Sequence, residues 1–159
     1  MPQMYSATFS GLASAAAVDF FELLAPSTKV VVVHSINIGQ ITDLGDAAEE
    51  VLTVQLRRGV GSVTSGSGGS SPTPAKLETG DTAAAATVEI SNTTAMVVGS
   101  GTITILKFLP WNIRGEFVYL PTPEARIILS PSERLAVGLL AAPADTITSH
   151  GTLVWEEIG

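Results

Sequence analysis

The chain has 159 residues, no cysteine, and fifteen acidic against eight basic side chains, for a net charge of -7. That length suits one domain with an ordinary core, and the missing cysteines remove disulfides and thiolate-metal sites. The basic residues are scattered, with Arg57-Arg58 the only adjacent pair, so neither nucleic acid nor an anionic membrane surface is an expected partner.

No stretch approaches the roughly 20 apolar residues of a membrane helix. No basic leader opens the chain, and the apolar run from Ala13 to Val18 ends at Asp19, so the sequence reads as a soluble protein made in a cytoplasm. Charged residues are only 14% of the chain and the mean hydropathy is +0.38. A surface that apolar is expected to be covered by another copy or another protein.

The apolar residues fall in short runs rich in Val, Ile, Thr and aromatics, broken by Gly, Pro, Ser and Asp, which is a strand-and-turn pattern. Tyr5, Ala7 and Phe9 alternate with polar neighbours in a first strand. A second spans 18–24 and stops before Pro26. A third spans 29–38, where Val30, Val31, Val32 and Val33 are apolar on both faces; such a strand is central or has its outer face covered by a partner. An acidic turn with Asp43 and Asp46 precedes a cleanly alternating strand at 51–57.

A Gly/Ser/Pro-rich loop then occupies about 59–74. Further strands are predicted at 87–91, 101–109, 113–120, 125–129, 134–141 and 147–158. Pro110, Pro121, Pro123, Pro131 and Pro143 fall between these runs, where a missing amide donor costs no ladder bond. Asp81 is placed to cap a short helix over 83–86, because alanine is the best helix former. About ten short strands with regular turns predict one all-β domain over 1–159, a β-sandwich of jelly-roll type.

Candidate chemistry is sparse. His34 and His150 are the only histidines, and neither stands in the paired spacing that a metal with three or four converging ligands needs; both are expected to be structural. The Gly/Ser loop has no Gly-Lys-Ser/Thr opening a helix, so it does not read as a phosphate loop. It reads as a flexible or tightly turned surface loop, and loops of this length in compact domains often contact partners. On that view, shortening it would abolish attachment without unfolding the domain.

Asp43, Asp46, Glu49 and Glu50 do not follow a calcium-loop spacing and read as a solvated turn. Spatial separation alone identifies a paired-carboxylate glycosidase site. Asn92-Thr93-Thr94 matches a glycosylation tripeptide without a secretory context. Trp155 is expected in the core. Trp111, beside Pro110, is expected to support a turn or to anchor a partner or sugar. No catalytic, cofactor-binding or metal-ligating residue is assigned, and the chain reads as a structural or binding module and not an enzyme.

Across most of its length the chain resembles small virion structural or head-decoration proteins of tailed bacteriophages. The resemblance rests on the Tyr5-to-Phe9 opening, the Gly66-Ser67-Gly68-Gly69-Ser70 loop followed by Pro72 and Pro74, Trp111-Asn112-Ile113-Arg114-Gly115, Pro121-Thr122-Pro123-Glu124, and the closing Gly151-Thr152-Leu153-Val154-Trp155-Glu156-Glu157. It implies a jelly-roll-like fold, a homotrimer, and attachment to the major capsid protein on the outside of a phage shell, after synthesis in the host cytoplasm. It carries no catalytic residues and no cofactor. A carbohydrate-binding or adhesion module is the alternative, and a cupin-like enzyme comes third.

Overall fold

The computed structural model describes residues 3–41 and 50–159. Eleven strands follow in chain order: β1 (Gln3–Ser14), β2 (Asp19–Leu24), β3 (Val30–Gln40), β4 (Val51–Val60), β5 (Ala75–Lys76), β6 (Thr87–Asn92), β7 (Thr102–Asn112), β8 (Phe117–Tyr119), β9 (Ile128–Leu129), β10 (Arg134–Leu139) and β11 (Ile147–Ile158). A single 3-10 turn, η1 (Pro123–Ala125), precedes β9. Every pairing is antiparallel. One sheet (sheet A) runs β5-β1-β11-β3-β8, with β9 also on β3, and the other (sheet B) runs β6-β2-β10-β4-β7. Without β5, β6 and β9 the two orders are β1-β11-β3-β8 and β2-β10-β4-β7, the interleaved strand order of an eight-stranded jelly roll.

The two inner faces meet in one core. Tyr5, Ala7 and Phe9 of β1 are buried with Leu153 and Trp155 of β11 and Val31, Val33, Ile36 and Ile38 of β3. The opposite wall is Leu52, Val54 and Leu56 of β4 with Leu135, Val137 and Leu139 of β10. Phe9 stacks on Phe20 at 5.6 Å between ring centroids, and Phe20 meets Trp111 edge-on at 6.3 Å. Each such ring contributes about 1.5–3 kcal/mol through the apolar area it removes from water. The Val30–Val33 run needs no partner: β3 lies between β11 and the β8/β9 pair, and Val31, Val32 and Val33 are buried within the one chain.

Four bulges reset which residues face the core, one of them in β1 between Phe9 and Leu12. In β2, Val137 of β10 pairs with Phe21 and Gly138 pairs with Asp19, so Phe20 is an extra residue. Both Phe20 and Phe21 therefore enter the core, and their neighbours Asp19 and Glu22 project together from the outer face. In β7, Arg57 pairs with Ile105 and Leu56 with Lys107; Leu106 is the extra residue, and Ile105 and Phe108 share the outer face. In β3 the extra residue is His34, between Val33 paired with Trp155 and Ser35 paired with Val154.

Some local expectations change. Residues 83–86 form no helix, because the backbone amides of Ala85 and Ala86 donate to the buried Glu157 carboxylate at 2.8 to 3.1 Å. Pro110 lies inside β7 instead of between strands; β7 is the open edge of its sheet, where a proline breaks no ladder. The segment expected as a strand from 113 begins with a turn, since Trp111 Nε1 donates to the Gly115 carbonyl at 2.8 Å.

Candidate interaction surface

The Gly/Ser loop is an arm bonded to its own domain. It runs antiparallel to residues 90–97, pairing Thr64 with Val97, Ser67 with Thr94 and Ser70 with Ile90, each through two backbone hydrogen bonds of 2.8 to 3.0 Å. Its glycines are there for close approach. A Cβ on Gly66 would sit 2.5 Å from the Thr94 carbonyl oxygen, and one on Gly69 would overlap the Ile90 carbonyl oxygen. The arm covers the free edge of β6, which would otherwise present unpaired backbone groups.

Carboxylates on the outer face of sheet B hold this arm down. The Gly66 amide donates to Glu22 Oε2 at 2.8 Å and Ser65 Oγ donates to Glu22 Oε1 at 2.7 Å. Arg134 Nη1 ion-pairs with Glu22 Oε1 at 2.6 Å and reaches Ser65 Oγ at 3.1 Å. Glu89 lies opposite Glu22 in register and accepts from Asn92 Nδ2 at 2.9 Å. Asp19 pairs with Arg57 and accepts from the Met96 amide at 2.9 Å. Burial pushes the Asp19 carboxyl above its ordinary value, more than the Arg57 charge and the Met96 amide pull it down. The Glu22 and Glu89 carboxylates thus do binding work inside the domain. Shortening the arm strips Glu22 of two partners, so the arm is part of the fold.

The structure separates the remaining candidates. His34 Nε2 contacts Glu156 Oε2 at 2.7 Å on the outer face of sheet A. His150 stands opposite Gly39, further along β11, and lines a cavity of about 570 Å³ with Thr8, Asn37, Arg114 and Glu116. The two imidazoles share a face but do not converge. Among the described residues, no three His, Asp or Glu side chains gather to hold a metal ion. Asp43, Asp46 and Glu49 lie outside the described residues, while the Glu50 carboxylate accepts from the Ala144 amide at 3.0 Å. Asn92 of the glycosylation tripeptide is buried with its amide nitrogen on Glu22 and Glu89, which leaves no room for a glycan. Trp155 is in the core, and Trp111 is buried as the support of its turn.

One group of exposed apolar residues lies on the β4/β7 half of sheet B, while others, Val118, Ile128 and Ile158, lie on the outer face of sheet A. Ile105 and Phe108 of β7 are 47% and 54% exposed, and Leu140, just past β10, is 51% exposed. Phe108 pairs with Gln55 and Pro110 with Thr53, and the Leu140 amide bonds the Thr53 carbonyl at 2.9 Å, so these residues form one strip. Among the described residues it contains no charge: Arg57 is turned to Asp19, and Lys107 shares the pleat of Leu56, away from the strip. Beside it, the open edges of β7 and β8 border a groove of about 570 Å³ lined by Leu109, Trp111, Phe117, Tyr119 and Leu120. Among five phenylalanines, two tryptophans and two tyrosines, Phe108 alone is exposed. Only the bulge at Leu106 aligns Ile105 with Phe108, so period-two alternation in the sequence conceals the strip.

Among the described residues no helix is long and apolar enough to cross a membrane. Compared with protein-family models, curated proteins and solved structures, the chain matches none, so the likeness to phage virion proteins rests on the sequence motifs quoted for it.

Proposed function

We propose that the protein is a structural module that works by protein–protein contact, as a homotrimeric decoration protein on the outside of a phage capsid. The observation that carries the contact reading is the charge-free apolar strip of Ile105, Phe108, Pro110 and Leu140 on an otherwise acidic domain. Exposed apolar residues grouped in this way, with an aromatic among them, are the usual make-up of a protein-binding surface. The capsid assignment comes from the sequence resemblance, and the jelly roll and the acidic surface are compatible with it. A sugar-binding role is less well supported, because stacking platforms need exposed rings and the other eight rings point inward.

The test is to mix purified protein with undecorated phage capsids and to measure co-sedimentation. The protein should pellet at a fixed ratio to shell subunits, insensitive to added sugars. Protein left in the supernatant but retained on a glycan array would replace this reading with the carbohydrate-binding one.

A further inference from the structure

We infer that the strip on the outer face of β4 and β7 is the contact between copies of this chain, with Ile105 and Phe108 of three protomers packed on one another at the symmetry axis. This deepens the trimeric reading above and rests on it. The argument starts from charge. At a net charge of -7, two copies repel over most of their surface. The outer face of sheet A, the other broad face, carries Glu156 and Glu116. On the described part of the β4/β7 strip no carboxylate faces outward, so like copies approach there without bringing acidic groups together.

The geometry suits that occupant. Residues near a closed symmetry axis meet their own copies, so the patch must match itself; an apolar, uncharged strip does so without needing complementary charge. It also lies at the open edge of sheet B, where among the described residues no arm or neighbouring strand hinders a second protomer. The opposite half of that same face is already covered by the Gly/Ser arm. The bulge at Leu106 and Pro110 make β7 a poor template for continuous strand addition, so the contact is one of side chains and closes instead of propagating as a sheet.

The experiment is size exclusion with light scattering on the intact chain and on Phe108→Glu and Ile105→Glu, with circular dichroism as the folding check. The parent chain should show three times the 16.4 kDa chain mass, and each variant should drop threefold to the monomer with its β spectrum intact. A parent trimer that persists in both variants would overturn the inference while leaving the trimeric reading standing. A monomeric parent would overturn both, and co-sedimentation with capsids would still decide attachment separately. Because the chain has no cysteine, Phe108→Cys provides a milder second arm that keeps the site apolar. A short bis-maleimide should join protomers through residue 108, and should not do so through Thr8→Cys on the outer face of sheet A. Absence of joined Phe108→Cys protomers, or equal joining of both variants, would overturn the assignment.

Discussion

Asp19 and Glu22 stand three residues apart on β2 yet project from the same side of the strand, because the bulge at Phe20 inserts one residue between them. Both carboxylates end buried on the outer face of sheet B, each with an arginine partner, Arg57 for Asp19 and Arg134 for Glu22. Between them they fasten the Gly/Ser arm and the Met96 segment to the sheet. The arm is therefore a structural element, and its stability is open to measurement.

Glu22→Ala should destabilise the domain by about 3 kcal/mol, since it leaves Arg134 and the Gly66 amide without their buried partner. Urea denaturation measures the loss. Limited proteolysis should cut the variant first between residues 61 and 74, while the parent arm resists. A variant as stable as the parent would mean that the arm is held by its backbone pairing alone.

Two glycine substitutions separate close packing from flexibility. Gly69→Ala should cost about 1–3 kcal/mol, because its methyl group would overlap the Ile90 carbonyl oxygen and crowd Asn92. Gly80→Ala should stay within about 0.5 kcal/mol, as the nearest atom to its methyl group is Glu78 Oε1 at 4.0 Å. Equal thermal midpoints for the two variants would contradict the close approach of the arm.

Asp19 sets a pH dependence of definite sign. Its folded value is raised by burial, so over that interval the folded state binds more protons than the unfolded one. Its contribution to stability therefore falls as pH rises from about 4, the ordinary aspartate value, to the raised folded value. Asp19→Asn removes this titration. The stability difference, parent minus variant, should shrink across that window in denaturation curves taken at successive pH values. A difference that grows with pH would show that the Arg57 charge outweighs burial.

His34→Ala and His150→Ala together should leave the fold and assembly unchanged. The partly buried contact of His34 with Glu156 is a single side-chain hydrogen bond, worth about 0.5–1.5 kcal/mol. Elemental analysis of the purified protein should find less than one zinc, iron or manganese per chain. One stoichiometric transition metal, lost in the double variant, would overturn the structural reading of both histidines.

The order of strands and turns, the all-β class and most of the core were legible in the chain itself, because period-two alternation and proline or glycine punctuation are local properties. Tyr5, Ala7 and Phe9, and the row Leu52, Val54 and Leu56, point inward as their alternation predicts. What local pattern could not convey was decided by pairing between distant segments. The bulges at Phe20, His34 and Leu106 exist only relative to the strands opposite them, and each reverses the alternation beyond it. One of them places Asp19 beside Glu22; another places Ile105 beside Phe108. The same holds for the Gly/Ser arm, whose composition reads as mobile by itself. Its glycines are small enough to lie against residues 90–97, and burial of Glu22 beneath it makes leaving that position costly.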